Sequence, residues 1–125
     1  MIRQILSGEI KDYIKNNSKC VLLDVRTKEE WKKGKPDGDK IGLKTYFLSL
    51  QFEGRVLNEN FVEDFKKLNI NQDYEILIIC GSGARSQQAA ELLAREGYNS
   101  SNISDGFSGN NEEKIGWENY QLPTK

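Results

Sequence analysis

A chain of 125 residues, 37% hydrophobic and 30% charged, has the size and composition of one globular domain that can bury its own core. Its 18 basic and 19 acidic side chains leave a formal net charge of -1, which gives no electrostatic basis for binding nucleic acid or an anionic membrane surface. With no histidine and only two cysteines, serine–histidine and cysteine–histidine hydrolases and histidine-ligated metal sites are excluded, and a disulfide scaffold is disfavoured.

In chain order, Met1 to Ile10 lacks the long apolar stretch of a secretory signal. Ile10, Tyr13 and Ile14 share one face of a helix expected over roughly Glu9 to Asn17. Val21 to Val25 is a short apolar run suited to a strand buried on both faces. Thr27 and Glu30 form a T-x-x-E capping box that opens a short helix ending at Gly34. Lys35 to Arg55 has no legible periodicity. Phe61, Phe65 and Leu68 fall at helical spacing behind Asn60, a residue suited to an N-cap.

Ile76 to Ile79 is the clearest strand, and runs such as Ile76 to Cys80 are too short to cross a bilayer. A cytoplasmic location is the default expectation. After a Gly81-Ser82-Gly83 turn, Ala89, Leu92 and Leu93 mark one face of an amphipathic helix that Gly97 stops. Asn102 to Ser104 suits a further strand. The Glu112-Glu113-Lys114 run is expected as solvated surface. Strands alternating with helices predict an α/β fold, a parallel sheet covered on both faces.

The chemistry concentrates in Ile76 to Ser86. A buried strand delivers Cys80 to its C-terminal end, where open α/β sheets bind ligands. Gly81 and Gly83 permit backbone angles that turn successive amides toward one spot, and the positive end of the following helix points there too. Arg85 adds a positive charge, so a thiolate at Cys80 is stabilised without histidine. Ser82 and Ser86 offer hydroxyl donors, Ser86 equally a helix cap. The competing interpretation of Cys80 is a small core hydrophobe.

Two segments resemble rhodanese-like domains: LLDVRTKEEW, Leu22 to Trp31, and CGSGARS, Cys80 to Ser86. The similarity continues through SQQAAELLAREGY, the turn at Ser104-Asp105-Gly106-Phe107 and the closing GWENYQLP, covering most of residues 20 to 123. The resemblance implies a three-layer fold with a mainly parallel sheet, catalysis by Cys80 through a persulfide, and a sulfur-binding loop of Gly81, Ser82, Gly83, Ala84 and Arg85 completed by Ser86. It implies thiosulfate or a persulfide as donor, a small thiol, cyanide or a protein thiol as acceptor, and neither cofactor nor metal.

The C-x4-R spacing is one residue shorter than that of phosphatases on this fold. The sequence departs from the family at Gly81, where many relatives have arginine, in the rebuilt segment from Gly34 to Asn60, and in an apparent insertion from Ser108 to Ile115. The first two departures also suit a non-enzymatic sulfur carrier or interaction module. Asp24 and Arg26 are open to a structural ion pair or to a place at the site entrance. Cys20 is open to packing or to a resolving role, and Trp31 and Trp117 are expected to pack.

Overall fold

The computed structural model describes residues 1–111 and 114–125. In chain order the elements are β1 (Arg3–Ile5), α1 (Ile10–Asn16), β2 (Cys20–Asp24), α2 (Lys28–Lys33), β3 (Thr45–Phe47), β4 (Gln51–Phe52), β5 (Val56–Leu57), α3 (Phe61–Lys66), β6 (Glu75–Ile79), α4 (Ala84–Arg95) and β7 (Asn99–Ile103). Five strands form one sheet in the order β1-β7-β6-β2-β3, with every neighbouring pair parallel. Strands β4 and β5 make a separate antiparallel hairpin.

The apolar runs of β2 and β6 lie at the centre because each alternates side chains between two faces that both need cover. Val21, Leu23, Ile76 and Ile78 face Phe61, Phe65, Ala89 and Leu93 of α3 and α4. Leu22, Leu77 and Ile79 face Ile10 and Trp117 on the other side. Trp117 is fully buried and donates its indole N–H to the Pro123 carbonyl at 2.8 Å, so it packs as expected. Trp31 meets Phe47 edge-on, ring centroids 5.4 Å apart.

Several boundaries differ from the sequence expectations. Strand β7 starts at Asn99, three residues early. Its buried Ser100, Ser101 and Asn102 are satisfied by hydrogen bonds instead of apolar contact, as when Ser100 donates to the Ala90 carbonyl at 2.7 Å. Asn60 occupies the N-cap position of α3 without a side-chain bond, and the Asn58 side chain instead accepts the Asn60 amide at 3.1 Å. Helix α3 stops at Lys66, leaving Leu68 beyond it but still against the core. Edge strands β1 and β3 arise from segments without an apolar run. Lys114 is exposed, and Glu112 and Glu113 lie outside the described residues.

Candidate functional site

Parallel pairing fixes the ends of the sheet. Cys20 pairs with Glu75 at one end, whereas Cys80 follows Ile79 at the other, where Asp24 is the last residue of β2. The two thiols are therefore about five residues apart along the strands, on the order of 16 Å. Cys20 hydrogen-bonds the Asn17 carbonyl at 3.0 Å, and burial beside Glu75 pushes its thiol up to about 11. A thiol so raised stays protonated in the fold. The contribution of Cys20 to stability is complete below the unfolded value near 9.0 and is lost as pH rises toward 11. Cys20 in the native protein should thus resist iodoacetamide at pH 8, as peptide mapping would read. Rapid native-state alkylation would contradict this placement.

Cys80 is buried, 1% exposed, where β6 turns into α4. The loop's carbonyls are held by groups outside it. Phe107 N–H donates to the Cys80 carbonyl at 2.8 Å, Ser108 N–H to that of Gly81 at 3.0 Å, and the Asn110 side chain to that of Ser82 at 2.8 Å. The Gly83 carbonyl accepts from Ser86 Oγ and Asn102 Nδ2, both at 3.2 Å. In a trans peptide the next N–H points opposite to the carbonyl, and these peptides are all trans. The amides of Gly81, Ser82, Gly83 and Ala84 are thus turned away from those partners. The Gly83 amide donates to Cys80 Sγ at 3.1 Å.

Two glycines make this geometry possible. Gly83 has φ +108, and a Cβ there would meet the Ser104 carbonyl oxygen at 2.3 Å. Gly106 has φ +66, and its Cβ would strike the Gly81 carbonyl oxygen at 2.4 Å. The turn at residues 104–107 therefore lies directly against the loop. Asp105, fully buried, fixes that turn by accepting from Ser7 N–H at 3.0 Å, Ser7 Oγ at 2.9 Å and Gly116 N–H at 3.0 Å.

Ser86 is buried with Oγ 3.2 Å from Cys80 Sγ and also bonds Asn102 Oδ1. Its single hydroxyl proton serves one acceptor at a time. The Gly83 carbonyl, Asn102 Oδ1 and the sulfur are therefore alternative acceptors for it, and the thiol can donate to Ser86 Oγ when the proton goes to either of the first two. Asn102 was not singled out in the sequence, its only signal being a polar residue in a strand. Ser82 is exposed at the crest of the loop, and Ala84 and Arg85 already belong to the first turn of α4.

Arg85 adds its charge in a different way from that expected. Its guanidinium grips Glu30 through Nη1–Oε1 at 2.7 Å and Nη2–Oε2 at 3.0 Å. Burial raises the Glu30 carboxyl, but the bonds from Arg85 and Thr27 outweigh it and hold the group near about 2. Glu30 also closes the capping box of α2, accepting the Thr27 amide at 3.1 Å. The capping motif was legible, whereas the pairing with Arg85, 55 residues away, was not.

Asp24 and Arg26 form a buried ion pair. Arg26 Nε lies 3.2 and 3.1 Å from the two Asp24 oxygens, Nη2 donates to the Gly34 carbonyl at 2.9 Å, and the guanidinium covers the Phe107 ring at 4.2 Å. Burial pushes the Asp24 carboxyl up against the pull of Arg26. Through Phe107 and Gly34 the pair braces the turn beside the loop, which is the structural role.

Comparison with known proteins agrees with this fold. The family model described as Rhodanese-like domain matches residues 7–113. The chain is 43% identical to the uncharacterized protein RP600 of Rickettsia prowazekii, over 98% of this chain and 97% of that one. It is 34% identical to Thiosulfate sulfurtransferase 18 of Arabidopsis thaliana, over 81% of this chain and 68% of that one. The crystal structure of Rv0390 from M. tuberculosis superposes with a TM-score of 0.80 at 26% identity, covering 98% and 96% of the two chains. Among the described residues no helix is long and apolar enough to cross a membrane.

Proposed function

Because the chain belongs to the rhodanese-like domain family, we propose that it is a sulfurtransferase working through a persulfide on Cys80. The observation that carries the proposal is the Gly83 amide donating to Cys80 Sγ at the C-terminal end of a parallel strand. The Cys80 thiolate attacks the outer sulfur of thiosulfate or of a persulfide. A new S–S bond forms, the old one breaks, and sulfite or a thiolate leaves with the bonding electrons. An acceptor, cyanide or a small or protein thiol, then attacks the terminal sulfur and returns Cys80 as thiolate. The Gly83 amide, which donates to the sulfur, stabilises its charge in both steps. A relative named as a thiosulfate sulfurtransferase supports the donor class.

Intact-protein mass spectrometry tests the proposal. After incubation with thiosulfate or cysteine persulfide, the reduced protein should gain one sulfur, mapped to Cys80 and removed by cyanide. A folded, reduced protein that takes up no sulfur from either donor would reject it. The near-complete burial of Cys80 and the engagement of Arg85 by Glu30 favour a second reading, a sulfur carrier or interaction module with slow turnover. Stoichiometric loading without multiple turnover would select that reading. Both free cysteines suit a reducing compartment such as the cytoplasm, where we locate the reaction.

A further inference from the structure

The Glu30–Arg85 pair lies against the peptide that follows the reactive cysteine. A Cβ placed on Gly81 would sit 3.1 Å from Arg85 Nη2 and 3.5 Å from Glu30 Oε2. Glu30 also borders both grooves beside the loop. One, about 620 Å³, is lined with it by Arg85, Arg55, Glu53 and Gln88. The other, about 400 Å³, is lined with it by Arg26, Lys33, Phe107 and Glu118. A donor reaching the loop through either groove passes this carboxylate.

From this arrangement we infer that Glu30 is a specificity-determining residue that selects sulfur donors by charge, disfavouring the dianion thiosulfate relative to persulfides of lower charge. The inference rests on the sulfur-transfer reading of Cys80. Its physical basis is a balance. Arg85 alone would present a full positive charge at the loop's edge and draw in dianions. Held by both oxygens of Glu30, it presents a nearly neutral pair, and Arg55 shares that groove with Glu53, so Arg85 has no spare charge for a second negative charge on the donor. Glu30 is fixed as well as charged, because Thr27 N–H and Oγ1 both bond its Oε1 at 3.1 Å. It therefore cannot swing aside without opening the first turn of α2.

Glu30→Gln keeps an oxygen for Thr27 and removes the charge, freeing Arg85. The rate of Cys80 alkylation by anionic iodoacetate, divided by that for neutral iodoacetamide, reads the local charge, because the thiolate fraction cancels in the ratio. The ratio should rise about five- to tenfold in Glu30→Gln at low salt and less at high salt. Glu29→Gln, with the same charge change on the neighbouring residue, should move it less than about twofold. The kcat/KM for thiosulfate relative to cysteine persulfide should rise in parallel with the alkylation ratio. Glu30→Ala, measured identically, serves if the glutamine variant fails to fold. Sulfur transfer with an unchanged donor preference in these variants would overturn the charge selection alone. No transfer with either donor in any variant would overturn the sulfur-transfer reading, and the donor selection with it.

Discussion

In a Cys80→Ser variant, sulfur uptake from thiosulfate and from cysteine persulfide is expected to fall to background, a loss on the order of a thousandfold or more. A serine hydroxyl is a poor nucleophile at neutral pH and cannot hold a terminal sulfur as a persulfide. The variant should nevertheless fold. Its oxygen can accept the Gly83 amide and meet the Ser86 hydroxyl as the sulfur does, so the stability change should be about 1 kcal/mol. Cys20 offers no substitute, because parallel pairing puts it at the opposite end of the sheet. Intact mass measurement and a cyanide-coupled assay on the folded variant provide the check. Residual turnover within tenfold of wild type would remove Cys80 from the reaction.

The second large effect concerns stability. Arg26→Met should destabilise the protein by about 3–5 kcal/mol at neutral pH, since it leaves Asp24 as a buried, uncompensated carboxylate. The midpoint of thermal unfolding should fall by roughly 10–20 °C for a chain of this length. The pH dependence identifies the cause. Burial already pushes the Asp24 carboxyl above its usual value, and without the Arg26 guanidinium only the backbone amide of residue 26 and the Trp31 side chain oppose that shift. A carboxyl raised in the folded state favours folding below its unfolded value, near 3.8, and that advantage is lost as pH rises through the folded value. The variant's deficit should therefore shrink toward pH 4 and grow at pH 7.5, as urea unfolding at the two pH values would show. Adding Asp24→Asn should recover part of the loss at pH 7.5. A deficit under 1 kcal/mol at pH 7.5 would mean that the pair does not brace the fold.

These two variants fall where local sequence signals were strong, and the contrast with other positions is physical. Strands β2 and β6 were legible because both faces are buried, which forces continuous apolar runs. Helix α2 was legible because Thr27 and Glu30 satisfy each other's backbone amides within four residues. Strand β7 was obscured because Ser100, Ser101 and Asn102 are buried through hydrogen bonds, which leave no hydrophobic pattern. Edge strands β1 and β3 bury too little to need such a pattern. The loop from Cys80 to Ser86 could be read because its strand, glycines and helix are contiguous. Glu30, Asn102 and Asn110 reach it only through tertiary contact, and Asn110 comes from the segment that looked like an insertion.

The support beneath the loop also bears on how the protein is made. The Ser7–Asp105 hydrogen bond spans 98 residues, and β1 pairs with β7 over a similar separation. Contacts this distant close late and slow folding relative to helical proteins of equal length. As the chain leaves the ribosome, β6 and α4 emerge before Phe107 and Ser108, the donors that orient the Cys80 and Gly81 carbonyls. Until residues 104–110 dock, the carbonyls of Cys80, Gly81 and Ser82 lack the partners that orient the loop. The loop around the thiol is thereby oriented only after the segment carrying the cysteine has been made, and a chain halted before Phe107 would display the thiol without those donors.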